Sequence, residues 1–263
     1  MSRVDVAGLG VNVRRIGVGY GNGPTVVMLH GLSADNLSSL YYTLAPPAAR
    51  FADVILYDLR GHGRTDRPAN GYGLDDSLAD LTGLLDALGV ECPVHLLGHS
   101  YGGGVALAHA RARPDRTASL MLLEACVPVP GWAEYMAASI AYLAFSMEKP
   151  EVVGWVREFG GKKANRAWDD VRALIHETSW VEDTEHRSTA ILEAEFRAMA
   201  CPTLAIYGEQ SDVLDAGREL VTWLPHSRFE VIPEQNHTLL LECKDHINKL
   251  VVPWLHEHAS ELQ

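Results

Sequence analysis

The segment Gly98-His99-Ser100-Tyr101-Gly102 limits the possible fold more than any other feature of this chain. A short, mainly apolar run, residues 94–97, precedes it and predicts a buried strand, and the small and apolar residues 103–108 predict the start of a helix. A serine flanked by glycines at a strand-to-helix junction indicates a sharp turn that exposes the hydroxyl, because such a turn leaves no room for neighbouring side chains. The segment therefore predicts an α/β fold with Ser100 at the end of a strand.

Predicted strands and helices alternate along most of the chain. Beyond an N-terminal hairpin the strands are apolar on both faces, which is typical of parallel strands covered by helices on both sides. They are residues 25–29, 54–57, 94–97, 119–123, 203–207 and 229–232, after hairpin strands at 4–6 and 11–15. A stripe of leucines predicts a helix that begins near Leu74 and ends at Gly89, and Pro253 is expected to kink or split the last helix, residues 244–257.

Residues 127–201 interrupt this alternation. They read as several helices with no credible strand, and they hold four of the six tryptophans. That composition is typical of a helical cap over an apolar pocket. We therefore expect a core of residues 1–126 and 202–263 and an inserted cap of residues 127–201. Most cap aromatics should pack within the cap itself, and the candidate pocket residues are Trp132, Tyr135, Met136 and Trp155.

Composition excludes several classes of function. The formal net charge is −12 and basic clusters are absent from the sequence, which argues against nucleic acid or an anionic membrane as a partner. No apolar run is long enough to span a membrane and no secretion signal is visible, so we expect a cytoplasmic protein. The four cysteines lie far apart, which predicts free thiols. We expect no metal and no cofactor, a small-molecule substrate, and a monomer or homodimer.

A serine hydroxyl is a poor nucleophile at neutral pH and needs a base, which a third group orients. His237 follows the last predicted strand by a few residues, so its loop should overhang the sheet edge from which Ser100 emerges. Two carboxylates are candidates for the third group. Asp212 follows the strand 203–207 and gives the chain order nucleophile, acid, base, whereas Glu124 follows the strand 119–123. Asp212 is the favoured acid and Glu124 the alternative, and either one would fix the histidine tautomer.

Two backbone N–H groups are expected to form an oxyanion hole. One belongs to Tyr101, directly after the serine, and the other to Leu32, in the His30-Gly31-Leu32 turn after an early strand. Both donors would point at the negative charge that develops on a carbonyl oxygen during attack. His30 is expected to support this turn and is also counted among the candidate pocket residues.

Five segments in this order resemble the α/β-hydrolase superfamily. They are Leu29-His30-Gly31, the run from Tyr57 to Thr65, Gly98 to Gly103, Gly208 to Asp212, and Asn236-His237. The resemblance covers the whole chain and implies a mostly parallel sheet of about eight strands, flanked by helices, with a helical lid after the sixth strand. Some similar lactone-cleaving members carry the acid after the sixth strand, where Glu124 stands.

These residues together predict a serine hydrolase that cleaves a carboxylic ester, lactone or thioester of a small apolar substrate through an acyl-enzyme. The fold hosts many chemistries, so other functions stay open. A carbon–carbon bond hydrolase, an acyltransferase or a cofactor-free lyase would use a similar triad. A hydrolase-like ligand receptor is the remaining alternative, and turnover of a p-nitrophenyl ester would distinguish it from an enzyme.

Overall fold

One sheet of eight strands forms the centre of the computed structural model, which describes residues 2–259 without the side chains of residues 159 and 163. The strands are β1 (Ser2–Val6), β2 (Leu9–Gly17), β3 (Thr25–Leu29), β4 (Asp53–Tyr57), β5 (Val94–His99), β6 (Thr117–Leu123), β7 (Thr203–Gly208) and β8 (Ser227–Ile232). Every predicted strand is present, and its ends lie within two residues of the prediction. The predicted fold class, a mostly parallel eight-stranded sheet flanked by helices, is confirmed.

The strand order places several loops at one edge of the sheet. The order is β1-β2-β4-β3-β5-β6-β7-β8. The pairs β1–β2 and β2–β4 are antiparallel, and all other neighbours are parallel. The chain leaves β3 toward β4 on one side and later returns to β5 on the other, so the carboxyl ends of β3 and β5 lie at a switch point. Crevices of this kind commonly bind ligands in α/β sheets.

Helices cover both faces of the sheet. They are α1 (Ser38–Tyr41), α2 (Ala45–Ala48), α3 (Leu74–Ala87), α4 (Tyr101–Ala112), α5 (Trp132–Met147), α6 (Pro150–Phe159), α7 (Gly161–Glu177), α8 (Trp180–His186), α9 (Glu193–Arg197), α10 (Leu214–Trp223), α11 (Leu239–Glu242) and α12 (Lys244–Ala259). Alternate strand residues enter two apolar cores. One core includes α3, α4 and α10, and the other includes α1, α2 and α12. Burial on both faces explains why the inner strands β3 to β7 carry few polar side chains.

Helix α12 continues through Pro253 as one helix, so the expected split does not occur. The proline removes one backbone donor from the helix, but buried residues on either side of it, Val251, Trp254 and Leu255, pack into the second core. This packing holds the two turns of the helix together across the missing hydrogen bond. No helix among residues 2–259 is long and apolar enough to cross a bilayer.

Five helices, α5 to α9, lie between β6 and β7, and the residues between these two strands form no strand. The later part of this insertion is tied to the core by buried polar contacts. The Asp183 carboxylate accepts hydrogen bonds from the Gly71 N–H at 2.5 Å and the Tyr72 N–H at 3.0 Å. The Leu74 N–H donates to the Ser188 hydroxyl at 3.0 Å. These contacts fix α8 and the segment after it to the loop that precedes α3.

Candidate active site

Ser100 occupies a strained turn between β5 and α4. Its backbone has φ +53° and ψ −118°, a conformation that costs a non-glycine residue about 1–3 kcal/mol. Three hydrogen bonds hold it there. The Ser100 N–H donates to the Leu123 carbonyl at 2.9 Å, and the Ser100 carbonyl accepts from the N–H groups of Gly103 and Cys126, both at 3.0 Å. The turn therefore presents the hydroxyl away from the helix and toward the carboxyl edge of the sheet.

The glycines around Ser100 are required by close packing. A Cβ at Gly98 would lie 2.5 Å from the Gly102 carbonyl carbon, and a Cβ at Gly102 would lie 2.7 Å from the His30 carbonyl oxygen. A Cβ at Gly103 would lie 2.9 Å from the Ala125 Cα. Contacts under 3 Å are not tolerated without backbone movement. The sequence motif thus reflects how tightly α4 packs against the ends of β3, β5 and β6.

His237 lies between Ser100 and a carboxylate. Its Nε2 is 3.0 Å from the Ser100 Oγ, and its Nδ1 is 3.1 Å from the Glu124 Oε2. An ionised carboxylate only accepts hydrogen bonds, so Nδ1 carries the proton and donates it to Glu124. Nε2 is then free to accept the hydrogen bond from the Ser100 hydroxyl. Three segments distant in sequence thus form one continuous hydrogen-bonded chain.

The two candidate acids differ in their surroundings. Glu124 follows β6 in a left-handed conformation, φ +51°, and its side chain has no exposed surface. Its carboxylate also accepts a hydrogen bond from the Gly208 N–H at 2.5 Å and another from the Ser211 hydroxyl. The Asp212 Oδ1 lies 3.8 Å from His237 Nδ1, beyond hydrogen-bond distance, and its side chain is 74% exposed. Sequence order favoured Asp212, whereas the geometry favours Glu124.

The carboxylates alter the proton affinity of His237. The hydrogen bond to Glu124 raises the pKa of His237, burial opposes this, and the negative charges of Glu124 and Asp212 raise the pKa further. The net effect is a pKa above the ordinary value for histidine. The site therefore stabilises the imidazolium form of His237. A base that accepts the proton of a serine hydroxyl needs this stabilisation.

The two predicted oxyanion donors belong to the turns that follow β5 and β3. Tyr101 is the first residue of α4, so its N–H has no acceptor within the helix. The Gly31-Leu32 turn follows β3, and a Cβ at Gly31 would lie 3.3 Å from the Ser100 Cβ. Leu32, Ser100 and His237 border the same cleft. Both residues therefore belong to turns next to the serine, and their role as oxyanion donors stays a prediction.

His30 lies beneath the turn and does not border the cleft, which corrects its place among the pocket residues. It is fully buried, and both ring nitrogens have partners. The Leu59 N–H donates to Nε2 at 2.9 Å, so the proton is on Nδ1, which donates to the Gly31 carbonyl at 2.6 Å. Burial lowers the pKa of His30, which keeps the ring neutral. The His30 ring thus binds the carbonyl oxygen of the Gly31-Leu32 peptide, whose N–H is that of Leu32. This contact agrees with the supporting role expected for His30.

The cleft at Ser100 has a volume of about 320 Å³. Its apolar side includes Leu32, Ala34, Leu240 and Leu241, and its polar side includes Asp35, Ser39, His99 and Thr238, next to Ser100 and His237. Leu241 is 67% exposed. A small substrate with an apolar part fits this lining.

The four cap residues expected in the pocket do not border this cleft. Trp132 is buried and its ring stacks on the Tyr101 ring with centroids 6.1 Å apart, while Met136 packs against the first core. Tyr135 and Trp155 are more than 60% exposed. The physical reason is helix phase, because the sequence of α5 and α6 does not reveal which side of each helix faces the core. Trp132 contributes to the packing behind the serine instead.

Four residues that sequence reasoning missed contact the site. Ser211 donates to Glu124, and Asp35 and His99 border the cleft. The Cys126 Sγ lies 3.8 Å from the Ser100 Oγ, and burial raises the pKa of this thiol to about 11, so it stays protonated. His99 and Ser211 lay within segments that the sequence analysis singled out, but neither was given a role there. Among residues 2–259, no group of three or more His, Cys, Asp or Glu side chains is arranged to hold a metal ion.

Comparison with known proteins shows what the chain is similar to. The family model described as alpha/beta hydrolase fold matches residues 24–149. A non-heme chloroperoxidase of Streptomyces lividans is 41% identical over 123 residues, which span 46% of this chain and only 43% of that protein. A 2-hydroxymuconate semialdehyde hydrolase of Pseudomonas sp. (strain CF600) is 28% identical and covers 95% of this chain and 92% of that protein.

The fold agrees with a solved structure of the same kind. The crystal structure of a putative lipase from Acinetobacter baumannii AYE superposes with a TM-score of 0.83, over 99% of this chain and 92% of that one, at 18% sequence identity. The strand order, the turn at Ser100 and the family-model match point to one assignment. This chain has the α/β-hydrolase fold, and its residues 24–149 match the family model of that fold.

Proposed function

We propose that the chain is a serine hydrolase that cleaves a carboxylic ester, lactone or thioester of a small, partly apolar molecule. The observation that carries this proposal is the hydrogen-bonded chain from Ser100 Oγ through His237 to Glu124, at 3.0 and 3.1 Å. Groups at these distances suit a nucleophile, a general base and the carboxylate that orients the base. All catalytic groups of the proposed reaction are side chains and backbone groups of the chain, and water is the second reactant.

In the first half of the proposed reaction, the Ser100 oxygen attacks the substrate carbonyl carbon while its proton passes to His237 Nε2. Glu124 stabilises the imidazolium that forms. The carbonyl oxygen gains negative charge and accepts hydrogen bonds from the N–H groups of Leu32 and Tyr101, each commonly worth about 2.7–4 kcal/mol. The leaving group then takes the proton from Nε2 and departs, which leaves an acyl group on Ser100.

In the second half, His237 takes a proton from a water molecule, and the hydroxide attacks the acyl carbon. The same N–H groups stabilise the second tetrahedral intermediate. Collapse of this intermediate returns the proton to Ser100 and releases a carboxylic acid. The geometry favours Glu124 over Asp212 as the acid because Glu124 is buried and hydrogen-bonded to the imidazole.

Hydrolysis of a carbon–carbon bond is the second candidate. It is favoured by the similarity to the 2-hydroxymuconate semialdehyde hydrolase, which extends over 95% of this chain. A triad of this kind suits hydrolysis of an ester bond and of a carbon–carbon bond, so only the preferred substrate distinguishes the two functions. A panel of p-nitrophenyl esters, lactones, thioesters and 2-hydroxymuconate semialdehyde, assayed at equal concentration, would rank them by kcat/KM.

The test of the proposed function is covalent labelling combined with turnover. Wild-type protein should react with a fluorophosphonate at Ser100 and should hydrolyse p-nitrophenyl butyrate. Ser100→Ala should lose labelling and about 10⁴- to 10⁶-fold in kcat while keeping its melting temperature within a few degrees. Mass spectrometry of the labelled peptide gives the modified residue. Activity of Ser100→Ala near that of wild type would reject the acyl-enzyme mechanism.

A further inference from the structure

Asp35 closes the turn that carries one oxyanion donor. Its Oδ2 accepts a hydrogen bond from the Gly31 N–H at 2.9 Å, and its Oδ1 accepts one from the Asn36 N–H at 2.8 Å. The same carboxylate therefore joins the first and last residues of the segment 31–36. Ser33, within this segment, has φ +67°, a conformation that a non-glycine residue adopts only when its surroundings impose it.

His99 connects this carboxylate to the serine turn. Its Nδ1 lies 3.6 Å from the Asp35 Oδ2. Both ring nitrogens of His99 are inaccessible to solvent and have no hydrogen-bond partner within residues 2–259. His99 is the residue directly before Ser100, so its backbone position and that of the serine are fixed together. The Asp35 carboxylate therefore faces the His99 ring at a distance just beyond that of a hydrogen bond.

Gly31 packs closely against Asp35, His99 and Ser100. A Cβ placed on Gly31 would lie 3.3 Å from the Ser100 Cβ and 3.4 Å from both the Asp35 Oδ2 and the His99 Nδ1. The Gly31-Leu32 peptide is held from its other side by the His30 ring, which donates to the Gly31 carbonyl at 2.6 Å. A shift of Asp35 or His99 would therefore move the Leu32 N–H relative to the serine.

Asp35 is ionised at neutral pH. Burial alone would raise the pKa of its carboxyl, but the contacts with His99, Ser39 and the Gly31 N–H lower that pKa well below the usual range. His30 also interacts electrostatically with Asp35, and the centroid of the His237 ring is 5.8 Å from that of the His99 ring. A fixed negative charge next to the turn makes Asp35 a strong acceptor for the backbone N–H.

We propose that Asp35 and His99 are positioning residues that hold the Gly31-Leu32 peptide against Ser100, so that the Leu32 N–H points at the developing oxyanion. This inference rests on the proposed serine hydrolase function. Loss of one oxyanion donor commonly lowers kcat by about 10²- to 10³-fold, so a misplaced donor should cost less than that. Because the donor acts on charge that develops only in the transition state, kcat should fall while KM changes little.

The experiment compares Asp35→Asn, His99→Leu and His99→Asn with wild type, using p-nitrophenyl butyrate. Asp35→Asn removes the charge and one acceptor, and we expect kcat to fall about 10- to 100-fold with KM changed less than threefold. His99→Leu should behave similarly, and His99→Asn, whose amide can replace the ring nitrogen that faces Asp35, should recover part of the loss. The inhibition constant of phenylboronic acid, an oxyanion mimic, should rise by the same factor as kcat falls.

Asp66→Asn is the matched control, because the Asp66 carboxylate also accepts a backbone N–H, that of Gly10 at 2.8 Å, and neither residue borders the cleft. Its kcat should stay within twofold of wild type. The double variant Asp35→Asn/His99→Leu should be no slower than the slower single variant, since residues that act as one unit are not additive.

The proposal fails if Asp35→Asn keeps kcat within twofold of wild type, or if KM rises while kcat is unchanged. Should Asp35→Asn not fold, as judged by near-UV circular dichroism, the two His99 variants decide the question. The outcome is separable from the proposed function. If wild type neither hydrolyses the ester nor reacts with a fluorophosphonate, the hydrolase proposal fails; if both succeed and the Asp35 and His99 variants behave as wild type, only the present inference fails.

Discussion

Single residues at this site differ in function according to how deeply they are buried. Glu124 and Asp212 present carboxylates to the same nitrogen of His237, but only Glu124 is removed from water and saturated with donors. A carboxylate with fixed donors holds its orientation, whereas an exposed one competes with solvent. Sequence order could not supply this distinction, because both residues follow parallel strands at the same sheet edge.

The acid is tested by comparing Glu124→Gln with Asp212→Asn. Glu124→Gln should lower kcat by about 10⁴-fold, because an amide at that position no longer fixes the His237 tautomer. Asp212→Asn should cost less than tenfold, since its carboxylate is 3.8 Å from Nδ1 and largely exposed. Steady-state kinetics on one ester measures both. The reverse ranking of the two variants would assign the role to Asp212.

The pH dependence of kcat/KM follows from the same contacts. The base must be neutral to accept the Ser100 proton, so activity should decline as pH falls through the His237 pKa. That pKa is raised by Glu124 and, to a smaller extent, by Asp212. Asp212→Asn removes one raising charge, so its acidic limb should shift to lower pH than that of wild type. A profile from pH 5 to 9 in constant ionic strength measures the shift, and an identical or upward-shifted limb would contradict it.

At the scale of elements, the site is made by loops at the ends of five strands. β3 leads to Leu32, β5 to Ser100, β6 to Glu124, β7 to Asp212 and β8 to His237. The sheet therefore fixes the loop origins, and the glycines let α4 approach closely enough to complete the turn. Apolar runs were enough to predict the strands, since parallel strands buried on both faces have a distinctive composition.

Gly102→Ala tests the close approach of α4 to the sheet. The added Cβ would lie 2.7 Å from the His30 carbonyl oxygen, so the helix would have to move. We expect about 1–3 kcal/mol of lost unfolding free energy and a fall in kcat, because the same helix presents the Tyr101 N–H. Gly154→Ala, within α6, is the control. A Cβ there meets nothing within 4 Å, and alanine favours helix, so this variant should be as stable as wild type or slightly more so.

Urea denaturation of both glycine variants measures the difference in unfolding free energy. Equal stability of Gly102→Ala and wild type would show that the turn tolerates a larger residue. In that case the glycine would not be explained by packing.

For the whole molecule, the sequence predicted the sheet well and the pocket poorly. Residues 203–207 form β7 as predicted because a buried strand needs only local apolar character. Trp155 and Tyr135 were expected at the pocket but are exposed, because the orientation of a cap helix depends on how it packs against other helices. Asp35 carried no sequence signal, since its importance comes from contacts with Gly31 and His99, which only the folded chain brings together.

Buried histidines give the molecule a pH-dependent stability that is separate from catalysis. Burial lowers the pKa of His62 to about 3 and those of His95 and His109 to about 4. Between pH 4 and 6.5 the unfolded chain would therefore bind protons that the folded chain does not. Stability then rises with pH in this range and falls on acidification, by up to about 1.4 kcal/mol per pH unit for each histidine that stays neutral.

We therefore expect the free energy of unfolding to be lower at pH 5 than at pH 7, as measured by urea denaturation. In His109→Gln, the difference in bound protons between the unfolded and folded chain should fall by about one, because the His109 ring is fully buried. Glutamine is chosen because its amide can replace the contact of the His109 Nδ1 with the Thr117 hydroxyl at 3.0 Å. The variant should be closer to wild type at pH 5 than at pH 7. An unchanged pH dependence in His109→Gln would mean that His109 is protonated in the folded protein, despite its burial.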